Sequence, residues 1–481
     1  VAAVVARWQA HSTCIVQFAW ASSPPPASPA PLVSADSTGQ LAEWSLVPHA
    51  QNPEWTANSV SMLRPLPASQ RVSALAAVAA GGWPPVWLCG GSGGSVQAIQ
   101  GSESTLGHAH GSQPVTHIHV CPPDELTAVE ATASQRLVKL FSSGRNGFVN
   151  EYELLISREG GEGHGLGLQL SLLRSWRCAH ATILERLLPV ADGLCVLGFV
   201  QNDAVLWHVH RRHELRRWAC RGYKHPKDVI MTRPSPHAAE PSFMIVYATG
   251  HQVHALHTHQ RAGGAGVSGA SEGVNGGSCA GAIVSPRPVV GVGVAHTWLP
   301  GFHGREILCA VHMGVTLTPS PRFTFATGGE DNLVKLMSCE IDPSPSMEPL
   351  AVAGSLEGHP AAVRALATSP SARDSSSIIL FSAGGKEAIH AWQVQGSALQ
   401  PKLICSRTLP ERNSRAAKRD GGAGLRPESQ ADARYLTLAT IPLGDGDTYA
   451  DCHLLAAATS TSQVQLFILS ERDSSLVHIG K

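Results

Sequence analysis

Short runs of alternating apolar and polar residues, broken by glycine-rich pinches, recur along almost the whole of this chain. "FATGGEDNLVKLM", from Phe325 to Met337, is one such unit: two extended runs around a Gly-Gly-Glu-Asp turn. A period of two with turn residues at the breaks predicts half-buried antiparallel strands. The 47 glycines and 33 prolines fit a structure built from turns, in which long helices do not dominate.

The strand runs repeat at a spacing of about 40–45 residues, with Gly-His near the start and Trp near the end, which is the pattern of propeller blades. In the clearest unit Gly358-His359 precedes a strand from Val363 to Ala367, a second from Ile378 to Ser382, a Gly384-Gly385 turn and a third strand ending at Trp392, 33 residues after the histidine. His11, Asp36 and Trp44 repeat that order with the same 33-residue separation. In the unit opened by His303, Met337 stands in the tryptophan slot 34 residues on. A flexible apolar methionine fills an irregular gap there with modest loss. Asp331 lies in the tight turn of that unit, where a carboxylate accepts from turn amides and from the blade histidine, so a His303–Asp331 hydrogen bond is expected.

Weaker units run from Val72 to Ile99, His108 to Leu154, His180 to Val209, Val229 to Leu256 and Tyr435 to Leu469, giving eight in all. About seven blades close a ring. The expectation is therefore an all-β chain of WD40-type β-propeller with four-stranded antiparallel blades, comprising one full propeller plus part of a second. By residue, blades occupy 1–260, a Gly/Ser-rich insertion 261–288, further blades 289–400, a flexible insertion 401–433 and a last blade 434–481.

Charge changes the picture only locally. Lys plus Arg balances Asp plus Glu at 36 each, so no global field draws in nucleic acid or an acidic membrane. The 11 cysteines form no CxxC pair and no Asn-x-Ser/Thr sequon occurs, which points to a reducing, cytoplasmic location. No uncharged apolar run reaches the ~18 residues of a membrane span. The chain begins at Val1 and reads as a fragment.

Candidate chemistry is sparse. "GGSGG" around Ser92 fits the nucleophile-elbow spelling, but "SVQAI" follows as a strand where the elbow needs a helix, so a plain turn is expected. Paired histidines such as His117/His119 and His208/His210 share a strand face, yet a closed zinc site needs further fixed ligands. "GGKEA" and "GEGHGLG" lack the surroundings of a P-loop or a dinucleotide fingerprint. No catalytic, cofactor-binding or metal-ligating residue is expected. The one charged stretch, "HRRHELRRWACRGYKH", gathers Arg211, Arg212, Arg216, Arg217, Trp218, Arg221, Tyr223 and Lys224 around the single acid Glu214. Guanidinium groups interleaved with aromatic rings suit RNA or partner contact, and a solvated blade edge is the plainer reading.

The ordered strings "GFVQNDAVLW", "FHGREI", "FATGGEDNLVKLM", "HPAAVRALA" with "LFSAGGKEAIHAWQV", and "ARYLTLATI" with "VQLFIL" resemble the WD-repeat protein six family, over roughly residues 100 to 470. "HGREI" ahead of "ATGGED" and "RYLTLA" in the last unit are the most particular of these. The resemblance implies several propellers and a non-catalytic partnership with an S-adenosylmethionine-dependent tRNA 2′-O-methyltransferase, with tRNA in the complex and the wobble ribose as target. Where that family tends to carry a Cys-Gly-Gly-Gly-His-type segment, this chain reads "CRGYKHPKDV" from Cys220. The alternative is a generic propeller scaffold such as a ubiquitin-ligase substrate receptor, although Trp44, Trp207 and Trp392 are not followed by the Asp-x-Arg such receptors show.

Overall fold

In the computed structural model the described residues are 15–21, 31–48, 55–63, 66–67, 70–80, 83–101, 103–108, 110–121, 135–158, 166–178, 181–190, 193–220, 222–224, 227–232, 242–250, 252–258, 294–297, 303–316, 322–340, 350–395, 399–407, 433–443 and 451–479. They form eight four-stranded sheets, each an antiparallel meander of consecutive strands. In chain order these are blade 1 (15–63), blade 2 (72–108), blade 3 (115–177), blade 4 (183–219), blade 5 (227–297), blade 6 (307–356), blade 7 (363–407) and blade 8 (435–479).

Burial follows strand position within a blade. Second strands are covered on both faces and read as continuous apolar runs: Cys452–Thr459 is buried at every position, and Ser377–Gly384 at all but one. Fourth strands form the outer rim and are polar and open, as in Gln400–Arg407 and His213–Ala219. The first strand of blade 7, Val363–Pro370, alternates buried residues with half-buried or exposed ones, as a strand with one covered face must.

The core is divided into eight apolar clusters, and each is shared by two neighbouring blades. Blade 1 meets blade 2 through Val33, Leu41, Trp87 and Cys89. The series continues through blades 2 and 3, 3 and 4, 4 and 5, 5 and 6, 6 and 7, and 7 and 8. It returns to its start where Leu454, Ala456, Val464 and Leu466 of blade 8 pack on Ile15, Leu32 and Trp44 of blade 1.

That last interface corrects the expectation of one propeller and part of a second. Every blade has a neighbour on both sides, so all eight sheets belong to one closed ring, and no described sheet is left over to begin another. Eight wedge-shaped sheets close as well as seven, because closure needs only that each apolar face finds the next. Among the described residues the ring closes by side-chain packing, with no strand exchanged between the first and last blades.

Two boundaries also differ from the sequence reading. The fourth strand of blade 5, Val294–Thr297, pairs with its third, Gln252–Thr258, so the Gly/Ser-rich stretch falls inside a blade; its residues lie outside the described set. Residues 400–407 form the outer strand of blade 7 and carry it seven residues into the stretch read as a flexible insertion. Among the described residues no helix is long and apolar enough to cross a membrane.

Candidate functional site: the loop face of the ring

The turns joining second to third strands and the segments entering the first strands meet on one face, called here the upper face. A backbone hydrogen bond ties turn to segment in blade after blade: Ser92 N to Arg71 O at 2.8 Å, Arg145 N to Pro114 O at 3.0 Å, Glu330 N to Glu306 O at 2.9 Å, Gly385 N to Ala362 O at 3.2 Å and Ser460 N to Arg434 O at 2.8 Å. These bonds fix the face as a set of rigid corners.

Side-chain clasps lie beneath the corners. In blade 6, His303 Nδ1 lies 2.9 Å from Asp331 Oδ1 and its Nε2 lies 2.9 Å from Thr327 Oγ1. The expected bond between His303 and Asp331 is therefore present. Asp331 also accepts from the amides of Gly304 at 2.8 Å and Leu333 at 3.3 Å. Burial pushes the Asp331 carboxyl upward, and the hydrogen bonds from His303 and Gly304 outweigh it, leaving it below the usual carboxylate range. His303 is lowered by burial, against the pull of Asp331. Met337 is fully buried, opposite Phe325.

Blade 3 builds the same clasp with other residues. His110 Nδ1 lies 3.0 Å from Asn146 Oδ1 and His110 Nε2 lies 2.7 Å from Ser142 Oγ. Tyr152, ten residues after Ser142, accepts from its hydroxyl at 3.5 Å. Trp44 and Trp392 link the same two positions in their blades, their indole N–H groups donating to Ser34 and Ser382, each ten residues earlier, at 2.9 and 3.0 Å. The sequence unit opened at His108, but that residue is exposed and His110 is the buried one. The ten-residue serine-to-aromatic spacing was the signal that could have marked Tyr152 as the tryptophan substitute. In blade 1, Asp36 accepts from Thr38 N at 2.9 Å and Gln40 N at 3.0 Å, capping its own turn; His11 lies outside the described residues. In blade 7, His359 Nε2 lies 2.8 Å from Ser382 Oγ, and Lys386 holds the register position that Asp331 has in blade 6.

The arginine-rich stretch does not form one patch. Arg211 and Arg212 sit in the turn between the third and fourth strands of blade 4, on the lower face, Arg212 with a left-handed φ of 56°. Arg216, Arg217 and Trp218 lie on the outer strand His213–Ala219, and Arg217 is held by Glu214 through two bonds of 3.0 and 2.8 Å. The Trp218 ring covers the small apolar hollow against Ile245 and Tyr247 of blade 5. Tyr223 and Lys224 come after the strand and belong to the upper face, roughly 20 Å from the lower turn at ~3.3 Å per residue. Arg221 lies outside the described residues.

On the upper face the Arg145 guanidinium lies over the Tyr223 ring, 5.3 Å from its centroid, and the Arg177 guanidinium lies 5.9 Å from the centroid of Phe148. Exposed cations among the described residues of this face are Arg71, Arg145, Arg177, Lys224, Arg305, Lys386 and Arg434, and the exposed acids are Glu306 and Glu357. The sequence reading named only Tyr223 and Lys224 of these, because the others lie far apart along the chain.

A Ser–His–Glu arrangement lies between blades 7 and 8. Ser369 Oγ is 2.9 Å from His453 Nδ1, and His453 Nε2 is 2.7 Å from Glu471 Oε1. Glu471 also accepts from Ser371 Oγ and Ala372 N, both at 2.7 Å. Burial raises the Glu471 carboxyl, and the bonds from Ser371 and His453 outweigh it, so it sits below its usual range. Ser369 is 2% exposed and His453 fully buried, so no substrate reaches the hydroxyl and the set works as a clamp between blades. Ser92 lies in a hairpin turn and its hydroxyl accepts the Arg71 amide at 3.0 Å. Burial pushes the thiols of Cys178, Cys309 and Cys405 up to about 12, which removes them as nucleophiles at neutral pH. Among the described residues no group of three or more His, Cys, Asp or Glu side chains could hold a metal ion.

No family model and no curated protein matches the chain. Solved structures similar to it include the C-terminal WD40 domain of Sif2, at 10% identity with a TM-score of 0.49, covering 97% of this chain and 98% of that one. Sqt1 of Saccharomyces cerevisiae gives 10% identity and a TM-score of 0.47 over 99% and 98% of the two chains. The WD40 domain of SCAP from fission yeast gives 10% and 0.44 over 98% of both. The assignment of fold rests on the molecule's own strand pairing: with eight four-stranded meanders in one ring and His–Ser/Thr or Ser–aromatic clasps beneath its upper corners, the chain is a WD40-type β-propeller.

Proposed function

We propose that this propeller is a non-catalytic adaptor that holds a tRNA 2′-O-methyltransferase and helps seat tRNA for ribose methylation at the wobble nucleotide. A rigid ring that presents corners from every blade suits a protein-interaction scaffold. The finer reading draws on the resemblance of "HGREI" and "ATGGED" to the WD-repeat protein six family.

The observation that carries it is the union of those two strings into one upper-face corner. His303 and Asp331 clasp each other, and the exposed Gly304, Arg305 and Glu306 are held out between them. The clasp, which blade 3 also builds, holds the corner rigid, and the exposed Arg305 is of a residue type enriched at protein interfaces.

The test is affinity purification of the tagged chain followed by mass spectrometry, with wobble 2′-O-methylation mapped after deletion. Recovery of a methyltransferase and loss of the mark are expected. Recovery of a ubiquitin-ligase adaptor with the mark unchanged would replace this reading with the general scaffold.

A further inference from the structure

We infer that the upper face over blades 3 and 4 is an RNA-contact patch made by Arg145, Arg177 and Lys224 with the rings of Tyr223 and Phe148, and that the arginine-rich strand of blade 4 is not part of it. The ligand class rests on the adaptor reading; the position of the patch rests on geometry.

Three features separate this surface from the rest of the ring. First, two guanidinium groups are parked on aromatic rings, Arg145 on Tyr223 and Arg177 on Phe148. A stacked guanidinium keeps its outward face and its donor edge open while losing side-chain freedom in advance, so less entropy is lost on binding. Second, the support is stiff. Phe148 N is held by Asn146 Oδ1 at 3.1 Å, Cys178 N by Gly147 O at 2.9 Å, and Phe148 and Arg177 are direct cross-strand partners. Gly147, with φ +79°, approaches the Ala181 carbonyl so closely that a side chain there would collide. Third, Arg145, Arg177 and Lys224 are exposed, while the exposed acids of this face, Glu306 and Glu357, belong to the segments entering blades 6 and 7. Asp203 of blade 4 is half-buried and its field falls on Arg217.

The edge strand offers the opposite. Arg217 is neutralised by Glu214, Trp218 is turned against blade 5, and Arg211 and Arg212 face the other side of the ring. Acidic protein would need only the charges of the upper patch. Paired rings and guanidinium planes are what unstacked bases use, and the cations then meet the phosphates between them.

The experiment measures binding of the full chain to a fluorescent unmodified tRNA transcript, to single-stranded oligouridylate and to polyglutamate, over a range of salt. The triple variant Arg145→Glu, Arg177→Glu, Lys224→Glu should bind tRNA at least tenfold more weakly and lower the salt slope by about two to three. Arg211→Glu with Arg212→Glu should stay within twofold of wild type. Tyr223→Leu, which keeps apolar bulk and loses the stacking face, should weaken oligouridylate at least fivefold and leave polyglutamate unchanged. The milder pair Arg177→Gln, Lys224→Gln, checked by circular dichroism, covers the case in which the triple variant misfolds.

Unchanged tRNA affinity and slope in a folded patch variant would overturn the proposal. So would an equal loss of polyglutamate binding, which would give the face to an acidic protein. If patch variants lose RNA while no methyltransferase co-purifies with the wild type, the patch stands and the adaptor reading falls.

Discussion

The imidazole rings of His359 and His390 stack inside blade 7 with their centroids 4.1 Å apart. Three of their four ring nitrogens, His359 Nδ1 and both of His390, are buried without a hydrogen-bond partner among the described residues. Burial and the neighbouring His390 push His359 down to about 3, and burial lowers His390. Both therefore remain neutral in the folded chain at pH values where an unfolded histidine, with a pKa of about 6.5, takes up a proton.

Acid should accordingly destabilise the ring. The folded-state pKa lies below the unfolded one, so the contribution is complete above about pH 6.5 and is lost as pH falls toward the folded value, at up to ~1.4 kcal/mol per pH unit for each histidine. Chemical denaturation between pH 7.5 and 5 should show this slope. His390→Phe keeps a ring between His359 and Trp392 and should make the decline shallower. Parallel curves for the two proteins would remove the histidine pair as its source.

Lys386→Asp restores the clasp residue that blade 6 has and blade 7 lacks. An acceptor for His359 Nδ1 should add about 1 kcal/mol at neutral pH and raise the His359 pKa, flattening the acid limb further. An NMR titration of His359 that does not move upward would refute the shared register.

Asp331→Ala removes the acceptor for His303 Nδ1 and for the Gly304 and Leu333 amides, and should cost about 1–3 kcal/mol. Asp331→Asn should cost less, because blade 3 runs the same clasp with Asn146 opposite His110. Denaturation midpoints that rank Asn below Ala would contradict the equivalence of the two blades.

Glu471→Ala should destabilise by about 1–3 kcal/mol, since the Ser371 hydroxyl, the Ala372 amide and His453 Nε2 all lose their acceptor between blades 7 and 8. Ser369 should not react with a fluorophosphonate probe while the ring is folded. Stoichiometric labelling of Ser369 in the native protein would turn the clamp into an active site.

The sequence by itself determined the strands and the grammar of each blade. Period-two alternation with glycine pinches is a local property, and so is the 33-residue histidine-to-tryptophan spacing that marked His359 and Trp392. The Met337 substitute followed from the same spacing, whereas Tyr152 in blade 3 was recognised only from its contact with Ser142. Ring closure was different: whether Leu454 and Ala456 cover Ile15 and Trp44, or leave them to another sheet, is a contact across the whole chain that no local pattern encodes. The same reason divided the arginine stretch. Seven residues of extended strand carry Arg212 and Tyr223 to opposite faces, and Tyr223 finds its cation in Arg145 of another blade. Local sequence fixes which residues can face one way; only the closed ring decides which of them meet, because every interface is made by sheets that are distant in sequence and adjacent in space.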